Sequence, residues 1–193
     1  MRLYHGSNVL GLNVLEPRLA DHDRPYVYMT TIDAVAALYL CNAVEKPYYW
    51  FPYGFDETGN IPVYHELYPN ALREVSEGVS GCIYVVDAND DQYIKFKNIP
   101  CARLGIVPIE VADAIIVDNA YDFIQNYIRQ GKLKVSRYED KTSDQLNKWH
   151  TRFDTPIILS EPTAFWGCGF HLCKINLDEI DKEEEAIGGS FHG

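Results

Sequence analysis

Apolar residues in this chain fall into short runs, broken by proline, glycine and acidic clusters, and no run is long enough to span a membrane as a helix. Leu3-Tyr4 opens a strand, and Gly11-Leu12-Asn13-Val14-Leu15 forms a second short element before a turn at Pro17. Val27-Tyr28-Met29-Thr30 is rich in strand-forming residues, and Thr31 or Asp33 is placed to cap a helix over Ala34 to Ala43. Tyr28 then lies on a strand and Tyr39 on the helix after it. From Pro47 to Pro62, Tyr48, Tyr49, Trp50, Phe51, Tyr53 and Phe55 are interleaved with proline and glycine, the signature of an aromatic loop. Glu66 to Glu77 reads as a helix and Gly81 to Asp87 as a strand entering an Asn-Asp-Asp turn. Val107 to Val111 and Ala114 to Asp118 read as a bent strand, and Tyr121 to Gln130 as a helix stopped by Gly131. Helices and strands alternate without a regular βαβ rhythm, so the expected class is α+β.

At 193 residues and 47% hydrophobic content the chain can fill one core, and a single domain over 1–193 is expected. Its end, residues 178–193, carries an acidic run to Glu185 and then Gly188-Gly189, which reads as a flexible tail. The net charge of -11 repels phosphate backbones and disfavours nucleic acid as a partner. Arg2, His5 and Asn8 interrupt the N-terminus with polarity, so no signal peptide is read and a soluble, cytoplasmic protein is expected. Five scattered cysteines, an odd number, point to reduced and mostly buried thiols. Cys168-Gly169-Phe170-His171-Leu172-Cys173 groups metal-ligand types, but Phe170, Leu172 and Ile175 alternate as in a half-buried strand, and no metal is assigned.

Candidate chemistry is concentrated in the first forty residues. His5 stands beside Gly6, and Tyr28 and Tyr39 follow on consecutive elements, a set that could form a slot for a flat ring. No Ser-His-Asp or Cys-His order, glycine-rich dinucleotide turn or P-loop competes with it. Taken singly, His5, Tyr28 and Tyr39 read as packed residues; together, in this order, they carry more. Leu3-Tyr4-His5-Gly6-Ser7, Gly11-Leu12 and Val27-Tyr28-Met29-Thr30 with Ala34 to Tyr39 resemble the ADP-ribosyltransferase fold, within its His-Tyr-Glu branch of poly(ADP-ribose) polymerases and diphtheria-like toxins.

The resemblance implies two small antiparallel or mixed sheets forming a cleft, flanked by helices, with NAD as substrate and ADP-ribose passed to an acceptor that is a protein, a nucleic acid or a small molecule. His5 would bond a ribose hydroxyl, and Gly6 would let its backbone approach the nicotinamide carboxamide. Tyr28 and Tyr39 would hold the ring between them, and Ser7 would support the loop. Where the family often carries a carboxamide-binding serine, this chain has Ala36. The branch also uses a glutamate on a late strand to stabilise positive charge developing on the sugar. Glu110, before Val111 and the Ile115-Ile116-Val117 run, is the leading candidate, with Glu139 and Glu161 as competitors. Pro108 two positions earlier lacks the pattern of arginine-modifying members. The expected catalytic set is therefore Glu110, His5 and Tyr28. The alternatives are an inactive member kept as a binding module and an RNA 2'-phosphotransferase, the latter at odds with the negative charge.

Overall fold

The computed structural model describes residues 1–19, 24–41, 53–96 and 99–151. Its frame is a six-stranded antiparallel sheet in the order β10-β6-β1-β3-β8-β7. These strands are β1 (Arg2–Ser7), β3 (Val27–Thr30), β6 (Gly81–Asp87), β7 (Tyr93–Lys95), β8 (Ala102–Gly105) and β10 (Asp113–Val117). A three-stranded sheet in the order β11-β5-β4 joins β4 (Tyr53–Phe55), β5 (Pro62–His65) and β11 (Lys134–Ser136), the last in parallel with β5. A two-stranded ribbon pairs β2 (Val14–Leu15) with β9 (Ile109–Glu110). Four helices complete the described residues: α1 (Asp33–Leu38), α2 (Ala71–Ser76), α3 (Ala120–Arg129) and α4 (Ser143–Thr151). The class is α+β, as expected, but the main sheet has six strands rather than being one of two small sheets.

Alternation along the strands gives the main sheet two apolar faces. On one face, Ile83 and Val117 pack with the helices through Leu38, Leu72 and Ile124, and Tyr64 and Leu133 join from the region of the smaller sheet. On the other, Leu3, Val27, Met29, Tyr84 and Val86 meet Leu15 and Ile109 of the ribbon. Each fully buried leucine or isoleucine contributes roughly 1.5–3 kcal/mol through removal from water.

The helix α1 is short and buried on every side, from Ala34 at 0% exposure to Leu38 at 0%. Its alanines allow the closest approach at any described glycine: a Cβ on Gly6 would lie 2.2 Å from the Ala36 carbonyl oxygen. The cap position is Ile32, without a side-chain bond, rather than Thr31 or Asp33; the Asp33 carboxylate accepts the Ala34 N–H at 2.9 Å from within the first turn and the Tyr127 hydroxyl at 3.0 Å.

Two further expectations are corrected. Tyr53–Phe55, read as loop, forms strand β4, because pairing in a hairpin with Pro62–His65 satisfies its backbone. Residues 42–52 of the same aromatic stretch lie outside the described residues. The helix expected from Glu66 begins only at Ala71, because Asn70 adopts a left-handed conformation at φ 59° and Glu66 turns inward to accept the Leu72 N–H at 3.2 Å. Strands β7 and β8 were not foreseen. The helix expected over Tyr121 to Gln130 is present as α3, with Asn119 capping Tyr121 at 3.0 Å and Gly131 closing it at φ 70°.

The Cys168–Cys173 group, Glu161 and the acidic tail 178–193 lie outside the described residues. Among the described residues no helix is long and apolar enough to cross a membrane.

Candidate functional site

The hydrogen-bonding direction of each residue along β1 follows from its first contact. Met1 and Ala88 exchange bonds, N–H to O at 2.8 Å and ammonium to O at 2.6 Å, one step beyond the Arg2–Asp87 pair. Antiparallel ladders alternate, so Leu3, His5 and Ser7 bond to β6 while Tyr4 and Gly6 turn their N–H and C=O groups toward β3. On β3 the Thr31 N–H bonds to the Cys101 carbonyl at 2.9 Å, which by the same alternation turns Tyr28 and Thr30 toward β1.

Tyr4 and Thr30 meet as a pair, and among the described residues it is the one paired position between these strands. The next pair in register would be Gly6 with Tyr28. It does not form. The Tyr28 carbonyl is taken at 2.7 Å by Nδ1 of His5. A gap therefore opens between β1 and β3, with the amide and carbonyl of Gly6 turned into it. Because a carbonyl only accepts, Nδ1 carries the proton, and burial holds the His5 pKa below its ordinary value, opposed in part by this same bond. A neutral imidazole with Nδ1 protonated carries its lone pair on Nε2.

Alternation also sorts the walls of the gap. His5 lies on the ribbon face, its ring stacked on Tyr84 with centroids 6.5 Å apart and planes at 26°. The Tyr84 hydroxyl donates to the Val9 carbonyl at 2.7 Å and accepts the Leu12 N–H at 3.1 Å, which fixes the loop leaving β1. Ser7, buried at 1% exposure, accepts the Val9 N–H at 3.1 Å and holds the same loop. Tyr28, 5% exposed, lies on the helix face in a cluster with Leu104, against which Tyr26, Tyr39 and Phe96 pack. Tyr39 follows α1 directly, so the backbone contact of α1 on Gly6 also places this ring beside Tyr28.

The structure thus brings together His5, Gly6, Ser7, Tyr28 and Tyr39. It does not bring Glu110 to them. Ile109 is buried at 1% in the ribbon core, so alternation along β9 turns Glu110 to the outer, exposed side opposite Val14. Glu139 is exposed in the turn after β11, the edge of the smaller sheet farthest from β4. The strand flanking β3 is β8, and its residues Ala102–Gly105 include no carboxylate.

Sequence reasoning missed Tyr84, Tyr53 and Cys101. The Tyr39 hydroxyl donates to Tyr53 at 3.1 Å, with the rings edge to face at 6.0 Å. Cys101 is buried next to this pair, and its carbonyl accepts the Thr31 N–H at 2.9 Å. Burial is the main cause raising the pKa values of Tyr39, Tyr53 and Cys101, so all three stay protonated at neutral pH. The chain matches no protein-family model, no curated protein and no solved structure.

Proposed function

We propose that this chain has an ADP-ribosyltransferase-like fold and is an NAD-dependent enzyme that transfers ADP-ribose to an acceptor and releases nicotinamide. The observation that carries the reading is the broken pairing of β1 and β3. A primary carboxamide needs one donor and one acceptor side by side, and Gly6, though buried, turns both toward β3 at the position where His5 has taken its in-register partner. The apolar, aromatic wall formed by Tyr28 and Tyr39 suits a flat ring attached to that carboxamide. On the opposite face, His5 would bond a ribose hydroxyl, as the resemblance to the family implies, while its Nδ1 holds the Tyr28 carbonyl.

Cleavage of the bond between nicotinamide and ribose leaves positive charge on the sugar, which a nearby carboxylate stabilises. Glu110 faces outward and Glu139 lies at the far edge, so of the three candidates we take Glu161, which is outside the described residues, as the carboxylate to test. Titration calorimetry with NAD and a nicotinamide-release assay test this reading together. The wild-type chain is expected to bind NAD and release nicotinamide, and Glu161→Gln to bind but not release. Failure of the wild type to bind NAD at millimolar concentration would remove the basis of the proposal.

A second reading has its own observation. The strand beside β3 places Leu104 opposite Tyr28 and Ala102 opposite Thr30, and none of its residues is acidic. A domain that binds NAD without cleaving it would show calorimetric heat and no nicotinamide, in the wild type as in Glu161→Gln.

A further inference from the structure

The wall of the gap is not built by the main sheet alone. Tyr39 ends its helix half-buried, with its ring packed against the Tyr28 cluster on one side and against Tyr53 of the smaller sheet on the other. Its hydroxyl bonds to the Tyr53 hydroxyl at 3.1 Å, so a side-chain bond joins the residue that follows α1 to β4 of the smaller sheet. Phe55, at 6.3 Å and edge to face, supports the Tyr53 ring from within β4.

We propose that Tyr53 is a positioning residue for the ring slot: its hydroxyl and ring edge fix the orientation of Tyr39, so the second sheet sets how well the slot grips a nicotinamide ring. This rests on the NAD reading above. An aromatic ring free to turn about χ1 and χ2 must be ordered when a ligand stacks on it, whereas a ring already held by a buried bond loses less freedom on binding. Tyr53 touches no part of the ligand in this scheme and acts only through Tyr39.

The test compares the full-length wild type with Tyr53→Phe, Tyr39→Phe and the double variant. Calorimetry is run with three ligands: nicotinamide, NAD and ADP-ribose. Tyr53→Phe keeps the ring and its packing and removes the hydroxyl, and is expected to weaken nicotinamide and NAD binding by about three- to tenfold, the range for loss of one partly buried hydrogen bond. ADP-ribose, which lacks the ring, is expected to bind as to the wild type; equal weakening for all three ligands would signal general damage and overturn the proposal. The double variant is expected to be no weaker than either single one, because both remove the same bond. Additive losses, or unchanged nicotinamide affinity in Tyr53→Phe, would overturn it while leaving the NAD reading intact. A wild-type chain that binds none of the three ligands would overturn both.

Discussion

Gly6 is under two constraints at once. Its missing side chain lets α1 cross β1 at backbone contact, since an added Cβ would stand 2.2 Å from the Ala36 oxygen, and its amide edge faces the gap. Gly6→Ala is expected to cost about 1–3 kcal/mol of stability through overpacking, and to weaken nicotinamide binding as α1 and Tyr39 are pushed outward. Denaturant titration and calorimetry on the same samples check the two effects. His5→Ala should behave differently. It releases the Tyr28 carbonyl, so β1 and β3 can pair one step further and close the gap; NAD binding should be lost at modest cost to stability. Both residues were legible in the sequence as a histidine beside a glycine, because a short motif shows itself without knowledge of distant contacts. Tyr84 and Tyr53 were not, since fourteen tyrosines look alike until the strand register decides which ones meet His5 and Tyr39. Glu110 was legible as a carboxylate near a strand, but not as one turned outward, because that depends on which side of a two-residue strand finds a core.

At the scale of elements, local signals succeeded where the chain alone sets the structure and failed where pairing does. Helix α3 carries its own start and stop, so Asn119→Ala, which removes the acceptor for Tyr121 and Asp122, is expected to cost ~1 kcal/mol in a thermal or denaturant melt. By contrast, the start of α2 is decided by a tertiary contact. Glu66, 1% exposed, accepts the Leu72 N–H and pairs with Arg137 at 3.3 Å, joining the end of β5 to α2 and to the segment after β11. A glutamate before an apolar stretch reads from sequence as the first turn of a helix, whereas here it caps the helix from outside. Arg137→Ala should destabilise by about 3–5 kcal/mol, the range for leaving a buried charge without its partner, here the Glu66 carboxylate. Glu66→Ala should cost less, about 1–3 kcal/mol for the unpaired Leu72 N–H, because the Arg137 it leaves behind is half-exposed and stays solvated. Equal losses for the two variants would contradict this ordering. Strand β4 was missed for a related reason: three residues with a central glycine have little strand preference, and only pairing with Pro62–His65 defines them.

For the whole molecule, the order of strands could not be read from the sequence, because β10, β6 and β1 come from three separate parts of the chain. One consequence of that assembly is a defined response to acid. Burial lowers the pKa of His65, on the central strand of the smaller sheet, to about 4, with Lys141 adding to the effect, and it lowers that of His5 in the main sheet as well. A histidine whose folded pKa lies below its unfolded value of 6.5 is protonated first in the unfolded chain. Its contribution to stability is therefore fully present above pH 6.5 and is lost as the pH falls toward the folded pKa. The carboxylates respond in a different range: Asp56 is held below the usual carboxylate range mainly by Lys134, at 2.8 Å, so its share disappears only under stronger acid. The melting temperature should thus fall between pH 6.5 and pH 4 and again below pH 4. His65→Gln, which cannot protonate, should flatten the first decline and leave the second. A wild-type curve that is level through the first window, or a variant curve that falls as steeply there as the wild type, would show that the smaller sheet does not bury this imidazole in solution.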